Sequence, residues 1–293
     1  MMKTAQVGNR RVGDGEPCLL SFEPGATHTG IDSAIALVEA VAEGGGEAVK
    51  FQTIDTDEVM SQEDLRIDYT TADGKKSESV YEALKRRELT DEQWKKLRQR
   101  ARDLGLLFIS TPSGPRTLHL LVDMEVDAIK VAKADINNPY LIEDIARTGF
   151  PVILDAREKF EDVEAGLRLC EKHGSDDVII MHCPSGYPAE HAGIHLSTIP
   201  FIKSIFQRPV AYSDHSMGDF MNYAALGFGA NMVEKTITLD RTTDAVEHYM
   251  SLEPQEVRTF VDRVRAVEEA FGDPRVIFNS RVNPKHRRSV VAK

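Results

Sequence analysis

Cysteine and long apolar runs are scarce in this sequence, and each shortage excludes a class of protein. The 293 residues include three cysteines, Cys18, Cys170 and Cys183, which are too few and too scattered for a disulfide framework or a paired zinc motif. No apolar run approaches the roughly 18 residues that a membrane helix needs. The first residues also lack the apolar core of a secretory signal. We therefore expect a soluble, cytoplasmic protein.

An excess of positive charge is lacking as well. The chain has 36 Lys and Arg residues against 47 Asp and Glu residues, which gives a formal charge of −11. Because the field of such a protein repels polyanions, we expect neither a nucleic acid nor a membrane surface as partner. Any chemistry on phosphate would then depend on a few local lysines.

The sequence is rich in short apolar runs that alternate with helical patterns. Eight runs of this kind are PCLLSFE, EAVKFQT, LLFIST, DAIKVAK, FPVILDA, DVIIMHC, RPVAYSD and NMVEKTI. Nearly continuous apolar character is typical of parallel strands that are buried on both faces. Eight successive βα units predict a (β/α)8 TIM barrel over residues 1–272. A doubly wound open sheet is the alternative, but no GxGxxG motif follows the first run.

Helix boundaries support this division of the chain. A helix is predicted after the N-cap residue Thr90 and should stop at Gly105, and the last helix is predicted to start on Ser251. Residues 54–88 form a long polar excursion after the second strand, which should lie over the barrel mouth as a lid or substrate loop. Residues 273–293 form a basic tail that is too short for a further domain.

Polar residues stand at the ends of the predicted strands, where a TIM barrel carries its active site. These residues are Glu23, His28, Lys50, Gln52, Thr111, Lys130, Lys133, Asp155, Arg157, His182, Ser185, Tyr187, Ser213, Asp214, His215, Glu234, Lys235 and Thr236. Lysines inside apolar runs need an anionic partner, which is either a phosphate ligand or a neighbouring carboxylate at the barrel rim. His215 suits a metal ligand, a general acid or base, or a hydrogen-bonded structural histidine.

Seven motifs occur in the order in which sialic acid synthases carry them. They are FEPGATHTG, AVKFQT, STPSG, IKVAKADINNPYLIEDIARTGFPVIL, MHCPSGYP, YSDHSMG and VEKTITLDR. The sequence thus resembles that family over nearly the whole predicted barrel. The resemblance implies a transferase of sialic acid biosynthesis, which condenses phosphoenolpyruvate with an N-acetylated aldose such as N-acetylmannosamine. The products would be a nine-carbon α-keto acid and phosphate, and the resemblance further implies a divalent metal, Mn²⁺ or Mg²⁺, and a homodimer.

The resemblance also assigns roles to individual positions. Glu23, Lys130 and His215 would be catalytic, and His215 would bind the metal. The substrate-binding residues would be Lys50, Gln52, Thr111, Lys133, Asp135, Asp155, Ser185, Tyr187, Ser213 and Glu247. Among these, the lysines and hydroxyls would hold phosphoenolpyruvate, and Glu23, Gln52 and Tyr187 would contact the sugar.

The metal site departs from the pattern of the family. The second metal-binding histidine falls on Thr236, and a neutral hydroxyl is a poor replacement for imidazole. We therefore expect metal binding to be weakened or lost, unless Glu247 or His248 moves into its place.

The phosphate site departs from that pattern too. Two phosphate-binding serines are replaced, so that Lys133 and Asp155 stand at adjacent strand ends, where we expect them to pair. Ser185 and Ser113 stand in place of an asparagine and an aromatic residue.

Two alternative functions follow from these departures. One is a barrel aldolase or lyase with a Schiff-base lysine at Lys130 or Lys133, and the other is a non-catalytic sugar-phosphate binder. The basic tail looks like the start of the antifreeze-like domain that the family carries.

Overall fold

Eight parallel strands close into a barrel in the computed structural model, which describes residues 2–60 and 64–273. The strands of this described part are β1 (Ala5–Val7), β2 (Arg10–Val12), β3 (Leu19–Glu23), β4 (Ala48–Thr53), β5 (Arg66–Thr71), β6 (Gly74–Ser79), β7 (Leu107–Pro112), β8 (Ala128–Val131), β9 (Val152–Asp155), β10 (Val178–His182), β11 (Val210–Asp214) and β12 (Met232–Thr236). The barrel runs in the order β3, β4, β7, β8, β9, β10, β11 and β12, and β12 pairs with β3. The predicted TIM barrel is confirmed, since each of the eight apolar runs contains one barrel strand.

Helices occupy the segments between the barrel strands, as a (β/α)8 fold requires. They are α1 (Ile31–Glu43), α2 (Thr56–Val59), α3 (Val80–Lys85), α4 (Asp91–Asp103), α5 (Pro115–Asp123), α6 (Pro139–Arg147), α7 (Phe160–Lys172), α8 (Thr198–Phe206), α9 (Phe220–Gly227) and α10 (Pro254–Phe271), with short 3₁₀ turns at Lys133–Asp135 and His191–Gly193. In the described part of the chain, no helix combines the length and the apolar character that crossing a membrane demands.

The predicted helix boundaries are confirmed at α4 and wrong at α10. The Thr90 side chain accepts a hydrogen bond from the backbone N–H of Gln93 and caps α4. Helix α10 begins at Pro254 rather than near Ser251, because proline is pre-organised for the first helical position. Leu252 instead forms a parallel bridge with Ile237 and extends the barrel edge.

The floor of the barrel is closed by small and medium apolar side chains. Ala48, Ile109, Ile153, Met181 and Met232 form one buried cluster inside the strands, to which the hairpin of β1 and β2 adds further apolar residues. Since side chains alternate along a strand, the inward positions nearer the C-terminal ends are then free to carry polar groups. The cavity therefore opens at the C-terminal end of the barrel.

The excursion between β4 and α4 contains α2, the hairpin of β5 and β6, and α3. Its hairpin is tied to two loops of the barrel mouth. The backbone N–H of Thr70 donates to the carbonyl oxygen of Tyr187 over 3.0 Å, and the Lys76 ammonium lies 3.2 Å from the Asp244 carboxylate. These contacts place the hairpin beside the mouth, and its role as a lid or substrate loop stays a prediction. Residues 274–293 of the basic tail lie outside the described residues.

Candidate active site

A cavity of about 470 Å³ lies at the C-terminal ends of the barrel strands. Its walls are Glu23, Lys50, Gln52, Thr111, Lys130, Ala132, Lys133, Ala134, Arg157, Cys183, Tyr187, Ser213, His215, Glu234 and Glu247. Ten of the predicted site residues lie in these walls. Four others do not, namely Asp135, Asp155, Ser185 and His248. The strand residues among the ten meet because the inward positions of parallel strands converge on the barrel axis. The others reach the cavity from segments that follow the strands, namely Lys133, Tyr187, His215 and Glu247.

One side of the cavity carries a cluster of charges from three neighbouring strands, β12, β3 and β4. The Lys50 ammonium contacts the Glu23 carboxylate and lies 3.8 Å from Oε1 of Glu234. The Ser213 hydroxyl donates to the same Glu234 oxygen over 2.8 Å. Burial, with a contribution from Glu234, raises the pKa of Glu23 to about 7 against the opposing charge of Lys50. Glu23 is therefore a carboxyl group that exchanges a proton near neutral pH.

The opposite side carries a second ion pair, centred on Asp155. Its carboxylate, which is fully buried, lies 3.1 Å from the Lys130 ammonium and 2.8 Å from Nη2 of Arg157. Burial opposes ionisation of Asp155, but the charges of Lys130 and Arg157 outweigh it and hold its pKa well below the usual range. Asp155 thus lies behind the cavity wall and orients two cations that face the cavity.

The predicted pair of Lys133 and Asp155 is wrong. The Lys133 ammonium lies 2.6 Å from Oε1 of Glu158, and both side chains are about half exposed. Lys133 leaves β8 in a 3₁₀ turn that points it toward the rim, whereas Lys130 lies on β8 and reaches Asp155 on the adjacent strand. Lys130 therefore takes the carboxylate that Lys133 was expected to bind.

His215 and Tyr187 form the wall between β10 and β11. Their ring centroids are 5.1 Å apart, and Nδ1 of His215 is buried with no hydrogen-bond partner in residues 2–60 and 64–273. Burial and the cations Arg157 and Lys50 hold the pKa of His215 well below its usual value. Burial, with a contribution from Glu247, raises the pKa of Tyr187 to about 12. At neutral pH the site therefore contains an uncharged imidazole and a phenol that can donate its proton in a hydrogen bond.

A buried network outside the cavity holds the His215 loop in place. The Lys235 ammonium lies 3.0 Å from Asp214 and donates to the carbonyl oxygen of Ser216 over 2.6 Å. Asp214 also accepts from the Ser216 backbone N–H and from the Asn222 amide. The strand-end residues Asp214 and Lys235 thus face away from the cavity and position the residues on either side of His215.

The donor set does not fit a resident Mn²⁺ or Mg²⁺ ion. Thr236 is buried on the same strand face as Glu234, where the resemblance calls for imidazole. His248 does not replace it, because its Nδ1 lies 2.7 Å from the Thr238 hydroxyl, and it is not in the cavity wall. In the described ranges no group of three or more His, Cys, Asp or Glu side chains could hold a metal ion. Glu247, the other predicted substitute, does line the cavity.

We expect the Thr236→His variant to bind Mn²⁺ at least about tenfold more tightly than the unmodified protein. Losing only a hydrogen-bond partner of a metal ligand costs roughly 10–100-fold in affinity, so a gained inner ligand on the strand face of Glu234 should add at least as much. Titration calorimetry and the Mn²⁺ electron paramagnetic resonance signal measure the affinity directly. His215→Ala in the Thr236→His background should remove the gain. Equal affinity with and without the new histidine would contradict this interpretation.

Two functional positions were not assigned a role from the sequence. Arg157 and Glu234 both line the cavity and pair with other site residues. Both stand at predicted strand ends, and that position is the feature of the sequence that indicated a place in the active site. Ser185, which was predicted to bind substrate, is exposed outside the cavity wall. Asp135 lies in a neighbouring groove.

Comparisons with known proteins agree with this geometry. Residues 37–275 match the NeuB family. An uncharacterized protein of Methanocaldococcus jannaschii is 35% identical over 100% of this chain and 84% of its own length. The N,N'-diacetyllegionaminic acid synthase of Legionella pneumophila is 30% identical over 89% of this chain and 75% of its own length. The crystal structure of an N-acetylneuraminic acid synthetase from Leptospira borgpetersenii in complex with citrate superposes with a TM-score of 0.84 at 27% identity, covering 100% of this chain and 99% of that one. The predicted resemblance is confirmed, and the chain belongs to the NeuB family.

Proposed function

We propose that this protein condenses phosphoenolpyruvate with an N-acetylated aldose to give a sialic-acid-like α-keto acid and phosphate. Family membership supports the reaction class. The observation that carries the proposal is the pair of cations that Asp155 holds at one side of the cavity, opposite the protonatable Glu23. One side then suits a phosphorylated carboxylic acid, and the other suits the aldehyde and hydroxyls of a sugar.

Phosphoenolpyruvate would bind through Lys130, Arg157 and Thr111. A guanidinium has five N–H donors, and Asp155 uses only part of those of Arg157, so donors remain for phosphate or carboxylate oxygens. The Thr111 hydroxyl is buried in the cavity wall and has no partner among the described residues, so it is available to a ligand oxygen. Lys133 at the rim is paired with the half-exposed Glu158, so it adds little net charge at the entrance.

Carbon–carbon bond formation would then use Glu23 as the acid. C3 of phosphoenolpyruvate attacks the aldehyde carbon, and the aldehyde oxygen takes the Glu23 proton to become a hydroxyl. Water adds to C2 and returns one proton to Glu23. The bond between C2 and the bridging oxygen of the phosphate then breaks. Phosphate leaves with the remaining proton of that water, and the water oxygen becomes the keto group. A carboxyl group with a pKa of about 7 suits both proton transfers at neutral pH. The Tyr187 phenol is placed in the wall to donate to a sugar oxygen.

Phosphate release tests this function. Incubation with phosphoenolpyruvate and N-acetylmannosamine or related aldoses, with Mn²⁺ or with chelator, should release phosphate only when sugar is present. Mass spectrometry should detect a keto acid whose mass is that of both substrates plus one water, less the released phosphoric acid. Lys130→Met should abolish release, whereas Lys172→Met, a change at an exposed helix position, should not. If the folded protein releases no phosphate with any of these sugars, the proposal is wrong.

The aldolase alternative makes a different prediction. A Schiff base needs a free amine, and the Lys130 ammonium is paired with a buried carboxylate. Treatment with pyruvate and borohydride should therefore leave the mass of the protein unchanged. A stable adduct on Lys130 or Lys133 would favour the aldolase instead.

A further inference from the structure

The register of three neighbouring strands places a cation close to the expected metal position. Thr236 of β12 lies opposite Glu23 of β3, and the pairing of Phe22 with Val49 places Lys50 of β4 next to Glu23 on its other side. The Lys50 ammonium contacts the Glu23 carboxylate and lines the catalytic cavity. A positive charge therefore lies across Glu23 from Thr236, the position where the resemblance calls for a second metal-binding imidazole.

Lys50 is held in place and stays charged. Its side chain is 6% exposed, and its ammonium lies 3.8 Å from Oε1 of Glu234. The same oxygen accepts from the Ser213 hydroxyl over 2.8 Å. Burial opposes the charge, but Glu23 and Glu234 outweigh burial and raise the pKa of Lys50 above its ordinary value. An ammonium has three N–H donors, so one remains for a ligand oxygen when the other two face Glu23 and Glu234.

The same contacts disfavour a divalent ion in the cavity. Glu23 and Glu234 are carboxylates of the kind that bind Mn²⁺ or Mg²⁺, but each already faces the Lys50 ammonium. An ion between them would lie beside a like charge, and the low dielectric of a buried site makes that costly. The neutral hydroxyl of Thr236 and the charge of Lys50 thus act in the same direction, against a resident metal ion.

We infer that the condensation needs no divalent metal ion, and that Lys50 takes the place of one as the group that polarises the aldehyde. The inference rests on the proposed condensation. As C3 of phosphoenolpyruvate bonds to the aldehyde carbon, the carbonyl π electrons move to the aldehyde oxygen, which takes the Glu23 proton. Lys50 keeps its own protons and donates a hydrogen bond to that oxygen, which stabilises the developing negative charge. Because Glu23 and Lys50 contact each other in the cavity wall, one oxygen can lie within reach of both.

The metal requirement and the loss of the ammonium test this inference together. Phosphate release from phosphoenolpyruvate and N-acetylmannosamine or related aldoses should be the same in chelator and in added Mn²⁺. Lys50→Met should lower kcat by about 100-fold or more, the usual cost of removing one donor to a developing oxyanion. Lys172→Met removes an ammonium from an exposed helix position and should keep kcat. Release that stops in chelator and returns with Mn²⁺ would overturn the inference while the condensation stands.

A restored metal site separates a catalytic role of Lys50 from a structural one. In the double variant, which combines Lys50→Met with Thr236→His, Mn²⁺ should raise kcat by about tenfold or more, because a metal ion can polarise the aldehyde instead. Mn²⁺ should leave kcat of Lys50→Met unchanged. A lysine that only supports the fold cannot be replaced by a metal ion in this way. A folded double variant that binds Mn²⁺ without a gain in kcat would overturn the inference.

Binding of Mn²⁺ alone separates the inference from the reaction. If no sugar gives phosphate release under any condition, the proposed condensation is wrong, and binding alone decides whether Lys50 stands in the place of an ion. The double variant should then bind Mn²⁺ at least about tenfold more tightly than Thr236→His, since the like charge is gone and Glu23 and Glu234 are free to bind the ion. Titration calorimetry measures both affinities. Equal affinity of the two variants would overturn the inference.

Discussion

Glu23→Gln should lower kcat by about 100-fold or more and remove the fall in activity at alkaline pH. General acid catalysis contributes roughly 10²–10⁴-fold, and an amide cannot donate the proton that the aldehyde oxygen needs. Because burial raises the pKa of Glu23 to about 7, its acid form predominates below that pH. The kcat/KM of the unmodified protein should therefore fall as pH rises through about 7, approaching tenfold per pH unit, because kcat/KM reports the pKa of the free enzyme. The residual kcat/KM of Glu23→Gln should not show that fall.

The charges that face Glu23 decide how this test is controlled. Lys50 contacts it from β4, and Glu234 and Glu247 lie near it from β12 and from the loop before α10. Glu23→Gln keeps the shape of the side chain, and Lys50 retains Glu234 as a partner at 3.8 Å. Unchanged circular dichroism and thermal unfolding would exclude misfolding as the cause. A variant with the same alkaline fall as the unmodified protein would show that another group titrates.

Asp155→Asn should destabilise the protein by about 3–5 kcal/mol. Removing one partner of a buried ion pair leaves an uncompensated buried charge, and the cost is of that size. Here the loss affects two cations, Lys130 and Arg157, whose side chains are 6% and 14% exposed. Inorganic phosphate should restore part of the lost stability, since an anion in the cavity supplies the missing charge. Urea unfolding with and without phosphate measures both effects.

An exposed ion pair provides the control for Asp155→Asn. Glu164→Gln breaks a pair on α7 whose side chains are 53% and 74% exposed, and it should change the stability very little.

The contribution of Asp155 to the stability of the protein also has a defined pH dependence. Its folded-state pKa lies below the ordinary value of 3.8, so its contribution is present above pH 3.8 and is lost as pH falls toward the folded pKa. Equal stability of Asp155→Asn and the unmodified protein at pH 7 would contradict the assigned role.

Asp155 also shows how the charged residues of the cavity wall neutralise one another. Lys130 and Arg157 share Asp155, and Lys50 contacts Glu23. Each pair lets an ammonium or guanidinium group lie in a largely buried site without a ligand, since an unpaired buried charge is costly. An anionic substrate then binds to cations that are already held in position, which reduces the ordering cost of binding.

The barrel could be predicted from the sequence because its strands repeat a strong local pattern. Runs such as FPVILDA are apolar up to the terminal Asp155, and that composition is typical of a strand covered on both faces. The hairpin of β5 and β6 was not predicted, because its strands are polar and partly exposed and their pairing has no comparable hydrophobic signal. The first turn of α10 was placed too early, because the capping signal of Ser251 competes with the stronger preference of Pro254 for the first helical position.

The sequence by itself determined that most of the site residues share one cavity. Glu23, Lys50 and Ser213 lie in the C-terminal parts of parallel strands, and side-chain alternation directs them toward the interior at the mouth of the barrel. It also determined that Thr236 leaves the expected metal ligand set incomplete. Only the tertiary structure decided which charges pair, because Asp155 could reach either Lys130 or Lys133, and the 3₁₀ turn after β8 directs Lys133 to Glu158. The neighbouring groove in which Asp135 lies likewise depends on three loops that are distant in sequence, whose packing no local pattern specifies.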